Sequence, residues 1–178
     1  MSWLNTDGLY IKYGTEETAV SRGGEVEFDG SHEYHFYVDY TDALSTSNVI
    51  VGTASGTEIG SMGPFLPKGL RIQQVKVFTE TAFTSSGTIG TSTFVLGLIR
   101  EDRTTELDYD GLTTASFVGS VIDAQGETTD VRVGTTGAGA LIGTTLANDG
   151  LLCVANSQHA SHPFTAGKAR IVISGYYP

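Results

Sequence analysis

Four histidines, a cluster of acids and a glycine-rich run are the residues of this chain whose types could do chemistry, and each type carries its own geometric demand. The histidines come in two pairs, His32 and His35 in "HEYH" and His159 and His162 in "HASH". A zinc ion needs ligands that converge from fixed directions. On a strand, positions i and i+3 point to opposite faces, so His32 and His35 are poorly placed to share an ion. His159 and His162 fall in a loop where they can converge, yet no third ligand is identifiable. In "REDRTTELDYDG", Asp108, Asp110 and Gly111 echo part of a calcium loop, but Thr, Ala and Ser stand where later ligands belong. Glu106 and Asp108 on one strand face would stand about 6–7 Å apart, within the glycosidase range. Solvated acids beside Arg100 and Arg103 explain the same letters. The run "GTTGAGALIG" spaces Gly137, Gly139 and Gly143 as G-x-G-x-x-x-G, but the "TTLANDGLL" that follows cannot make the helix a dinucleotide site requires. No G-x-S-x-G elbow occurs. The expectation is a chain with no catalytic residue, no metal ligand and no cofactor site.

The elements that would position such residues are strands. Gly, Thr, Ser, Val and Ile are plentiful across the 178 residues and runs of Lys, Glu and Arg at helical spacing are absent, which favours an all-β domain. "HEYHFYVDY" alternates, with Tyr34, Phe36, Val38 and Tyr40 on one face and His35, Tyr37 and Asp39 on the other. "NVIVG" is a short apolar strand. "TFVLGLIR" and "LLCVAN" are apolar on both faces, as interior strands are. "KARIVISGYY" sets Ala169, Ile171 and Ile173 opposite Arg170, Val172 and Ser174. Asp-Gly pairs at 7–8, 29–30, 110–111 and 149–150 supply tight turns. In "LPKGLRIQQVKVFTETAF" the alternation slips by one residue between Gln73 and Gln74. Such a slip is either a β-bulge, which bends the strand and re-aims later side chains, or a polar pair on an exposed edge. "DGLTTASFVGSVIDAQG" spaces Leu112, Ala115, Val118 and Ile122 near helical intervals, which predicts at most one short helix near 111–118. Residues 1–24 are weakly patterned and read as an N-terminal arm or peripheral segment; residues 25–178 read as a β-sandwich domain.

Charge narrows the partners. The formal net charge is −10, so the electrostatic footprint for nucleic acid is missing and anionic membranes are repelled. The single cysteine, Cys153 in "LLCVA", reads as a small buried hydrophobe. "MSWLNTDGLY" has no basic and apolar leader pattern, and no apolar run approaches membrane-spanning length. A soluble protein made in a cytoplasm, without the usual export route, is the expectation.

In order along the chain, "MSWLNTDGLYIKYGTEE", "LPKGLRIQQVKVFTETAF", "VLGLIREDRTTELDYDGL", "TGAGALIGTTL" and "FTAGKARIVISGYY" form a set that resembles the small jelly-roll-like head-decoration or cement proteins of tailed bacteriophages. The set makes up 78 of the 178 residues; segment 41–64 has no counterpart in it. The resemblance implies a β-sandwich that sits on the outer capsid surface, commonly as a homotrimer, with the major capsid protein as partner, and no catalytic residues. Within it, Trp3 and Leu4 near the start and Tyr176 and Tyr177 near the end are candidate partner-binding residues. Trp3 as ordinary core is the alternative. A rival reading is a carbohydrate-binding sandwich module of a virion tail or fibre using Tyr34, Tyr37 and Tyr40. A third is a hydrolase using Glu106 and Asp108.

Overall fold

The computed structural model describes residues 2–4, 10–13, 23–40, 66–100, 106–108, 110–113, 118–133, 139–156, 158 and 160–178. Among them run ten strands: β1 (Ser2–Leu4), β2 (Tyr10–Tyr13), β3 (Gly23–Phe28), β4 (Ser31–Asp39), β5 (Arg71–Ser85), β6 (Val95–Ile99), β7 (Glu106–Asp108), β8 (Thr128–Arg132), β9 (Leu151–Ala155) and β10 (Phe164–Tyr176). The chain is nearly all β, as its composition implies. A seven-stranded sheet takes the order β1-β2-β3-β4-β10-β5-β8 and a three-stranded sheet the order β7-β6-β9; every pairing is antiparallel.

Alternation sets the inner face of the large sheet. Tyr34, Phe36 and Val38 of β4 lie opposite Ile173, Ile171 and Ala169 of β10, and all six are buried. On the other side of β10, Ile173 and Ile171 lie opposite Val75 and Val77 of β5. Val131 of β8 continues the row beside Val75. Each Val, Ile or Phe side chain so removed from water contributes about 1.5–3 kcal/mol. The small sheet closes this core from the other side with Leu96, Leu98, Leu152 and Val154. All five residues of β6 are buried, as its two-sided apolar sequence predicts, and Ile99, Leu151 and Cys153 make a second cluster.

The phase slip in β5 is a bulge. Ser174 pairs with Gln74 and Gly175 with Ile72, so Gln73 has no residue opposite it on β10. The extra residue lets Ile72 and Val75 both enter the core while both glutamines stay out. The exposed-edge alternative fails because β5 is flanked on both sides, by β10 and by β8. A second slip follows: Ala169 pairs with Thr79 and Lys168 with Thr81, leaving Glu80 out. There Gly167 adopts φ +136 and lies against the Phe83 ring.

The helix expected near 111–118 is not formed by the described part of that segment. Gly111 and Leu112 lie in a turn whose backbone groups have distant partners: Leu112 N–H donates to the Leu96 carbonyl (3.0 Å), and Leu141 N–H to that of Gly111 (3.0 Å). The Gly111 carbonyl, the acceptor a helix would need there, is thereby taken by Leu141, and the local bond from Thr113 N–H to the Asp110 carbonyl (3.1 Å) is that of a turn. Residues 114–117 lie outside the described residues. The regular turn that does occur is a single 3-10 turn, Gly119–Val121. Leu112 and Ile122 are fully buried, so their spacing reports core positions and not a helix.

Candidate functional site

The first candidate surface is the outer face of the large sheet, opposite the core. Strand register lays Tyr37, Arg170 and Phe78 side by side across β4, β10 and β5, with His35, Val172 and Lys76 in the adjacent row. The Arg170 guanidinium sits 4.7 Å from the Phe78 ring centre, in cation–π range. Tyr37 is 43% exposed. Five of the ten Lys and Arg residues of the chain lie on this face: Arg71, Lys76, Arg132, Lys168 and Arg170. Against them stand Glu33, Asp39, Asp130 and, at the second slip, Glu80, so the face carries +1 (five less four) in a chain of −10.

Two of its four acids are engaged with neighbours on the face. Asp130 accepts from Arg132 (Nη2 to Oδ2 2.6 Å) and from the Gln74 amide. Burial pushes the Asp130 carboxyl up, but those two hydrogen bonds outweigh it and hold the group below its ordinary range. Lys168 Nζ lies 3.6 Å from Asp39 Oδ2. His35 Nε2 makes no hydrogen bond, even to Glu33 Oε2 3.4 Å away, and Arg170 Nε is likewise buried with no acceptor.

The second candidate surface is an acidic corner at one end of the same sheet. The β3–β4 hairpin turns through Asp29 (φ +49) and Gly30 (φ +76), the two positive φ values of a tight hairpin. Phe28, 58% exposed, stands at the tip between Glu27 and Asp29. Beneath it, His32 Nδ1 lies 3.2 Å from Glu25 Oε1, and the Tyr34 and Tyr177 hydroxyls are 3.4 Å apart. The His32 ring meets Tyr177 edge-on at 4.8 Å. Tyr177 also packs on Gly69, whose φ of +91 suits glycine. Burial first, then the hydrogen bonds with Tyr177 and Glu25, push the Tyr34 phenol well above its ordinary value. Burial also raises Tyr177 against the opposing hydrogen bond from Tyr34, and the negative charges of Glu25, Asp149 and Glu27 add to the rise.

A phenol raised in the folded state is neutral where the unfolded chain has already ionised. For Tyr34, stability is therefore full below the ordinary tyrosine value near pH 10 and falls above it by at most about 1.4 kcal/mol per pH unit. Chemical denaturation of the wild type at pH 9, 10 and 11 is expected to show that fall. Tyr34→Phe should be less stable at neutral pH and lose much of the alkaline slope. An unchanged slope would remove the assignment.

Other residues singled out by sequence separate. Trp3 and Leu4 lie in β1, opposite Ile11 and Tyr10 of β2; their side chains fall outside the described residues. Tyr176 is half-buried, opposite Ser31 and Arg71, while Tyr177 is 43% exposed at the acidic corner. The three-tyrosine platform does not form: Tyr34 is fully buried, Tyr40 packs against the core, and Tyr37 alone is exposed, because alternation sends neighbours to opposite faces. Asp108 packs against Gly111, and the Glu106 side chain lies outside the described residues. His32 and His35 do point to opposite faces. His162 Nδ1 accepts from Thr88 N–H at 2.8 Å, a loop contact, and His159 is outside the described residues, as are Gly137 and segment 41–64. Gly139 is tight against the Gly111 carbonyl and Gly143 (φ +87) turns the chain onto β5, so these glycines close a turn. Among the described residues no group of three metal-ligating side chains occurs, and no helix is long and apolar enough to cross a membrane.

Sequence reasoning missed Asn156 and Phe28. Asn156, fully buried, accepts from Thr93 N–H (3.2 Å) and Gln158 N–H (2.9 Å) and donates to the His162 carbonyl (3.0 Å), which ties β9 to the loop before β10. Nothing in "VANSQ" marks it. Phe28 was legible, since "EFDGSH" puts an aromatic directly before a tight turn. No family model, curated protein or solved structure matches the chain.

Proposed function

We propose that this protein is a structural virion protein that binds the outside of a tailed-phage capsid and stabilises it, acting as a homotrimer through many weak contacts. The major capsid protein and other copies of the chain are its partners, and the outer capsid surface is its location. Its two sheets are then a jelly-roll-like variant in which consecutive N-terminal strands widen one sheet. The observation that carries this reading is the outer face of the large sheet. It is broad, with β5 alone about 50 Å long at the usual strand rise, and it offers aromatic, cationic and acidic side chains together. Such a mosaic suits adhesion to another protein surface. Resemblance in the ordered set of sequence segments supports the same reading.

A protein that binds only the assembled shell shifts the equilibrium toward the intact particle, and repetition around symmetry axes turns modest contacts into avidity. The expected result is co-sedimentation of the full chain with expanded shells assembled from the major capsid protein of the same genome, together with a raised shell melting temperature. Absence of both would end the proposal.

A further inference from the structure

A three-fold ring is built from heterologous contacts, so each chain must present two different patches that fit each other. Two patches of opposite character are present here. One is the acidic corner, where Glu27, Phe28 and Asp29 project at the hairpin tip with Phe28 58% exposed. The other is the outer sheet face around Lys76, Tyr37 and Arg170. We infer that the acidic hairpin tip of one protomer docks on the cationic outer sheet face of the next, and that this contact closes the oligomer.

Two observations carry it. First, half of the chain's cations are gathered on one face although the chain as a whole is at −10, so a second copy is an abundant source of complementary charge. Second, each patch pairs its charge with an exposed aromatic, Phe28 on the tip and Tyr37 on the face, the residue type that anchors interfaces. Nucleic acid fits this face poorly: Glu33, Asp39 and Glu80 interrupt the cations, and the net charge repels a uniform polyanion.

This inference rests on the homotrimer of the proposed function and names its contact. The test is sedimentation velocity and native mass spectrometry of the full chain at about 0.1 M and about 0.5 M salt, since screening weakens exposed charge pairs. Lys76→Glu and Glu27→Lys are made singly and together, with Arg71→Glu as a second face variant and melting curves to confirm folding. The wild type should be trimeric at low salt and dissociate as salt rises. Each single reversal should raise the dissociation constant about tenfold, and the double swap should recover most of that loss. A trimer indifferent to all the reversals overturns the contact and leaves the oligomeric reading standing; if those variants also lose shell binding, the face belongs to the shell. A monomeric wild type overturns both. A double swap weaker than either single variant overturns the contact as well.

Discussion

Phe83→Ala is expected to lower the unfolding free energy by about 3–5 kcal/mol, the range for deleting a buried aromatic. Phe83 is 1% exposed, and its ring meets Phe94 at 5.5 Å and Phe164 at 5.2 Å, both edge-to-face. The three rings come from β5, the entry to β6 and the start of β10, so one side chain joins the large sheet to the small one. Truncation would lose the transfer energy of the ring, two aromatic pairings and the fit of the surrounding wall, which can collapse only partly because Gly167 supplies no side chain to fill the gap. Urea denaturation followed by fluorescence measures it, as a lower midpoint with an unchanged slope. A loss under 1 kcal/mol would show that the rings are not the joint between the sheets. Phe83→Leu keeps most of the volume and is expected to cost clearly less.

Gly167→Ala follows from the same corner. At φ +136 an L side chain is strained, at about 1–3 kcal/mol, and a Cβ built there runs into the Phe83 ring, an overpacking of about 1–3 kcal/mol more. A total of about 2–6 kcal/mol is expected in the same denaturation assay. The two contributions separate in a double-mutant cycle, because the ring is gone in the Phe83→Ala background and only the backbone strain remains. The alanine should cost markedly less there. Additive costs would mean that the ring moves aside freely and that strain alone requires glycine.

The strands were legible because alternation survives inside the core. Tyr34, Phe36 and Val38, and again Ala169, Ile171 and Ile173, follow the period and are buried where it puts them. The bulge was legible for the same reason, as a one-residue loss of phase between two runs that must share a face. Where it is described, the helix expected near Leu112 is a turn, since buried positions in a turn can fall at helical intervals by accident. Partners of polar side chains left no such trace. The Asn156 bonds and the Tyr34–Tyr177 contact join residues far apart in the chain, and no local pattern encodes which carbonyl or hydroxyl a side chain will meet. The charge segregation was half visible. Arg170 could be assigned to the outward side of β10 from sequence, but its row with Tyr37 and Phe78 depends on the order of strands in the sheet.

That order has a consequence for how the molecule is made. β10, later in sequence than every other strand, lies in the middle of the large sheet between β4 and β5. While the ribosome is still translating residues 66–163, neither β4 nor β5 has its central neighbour, and the nascent chain carries two unsatisfied strand edges that invite wrong pairing. Closure waits for residues 164–176 to emerge, so the native surfaces, including any that join copies together, come into being only after nearly all of this sequence has been synthesised. A messenger cut short upstream of β10 yields sticky fragments but no competitor subunits.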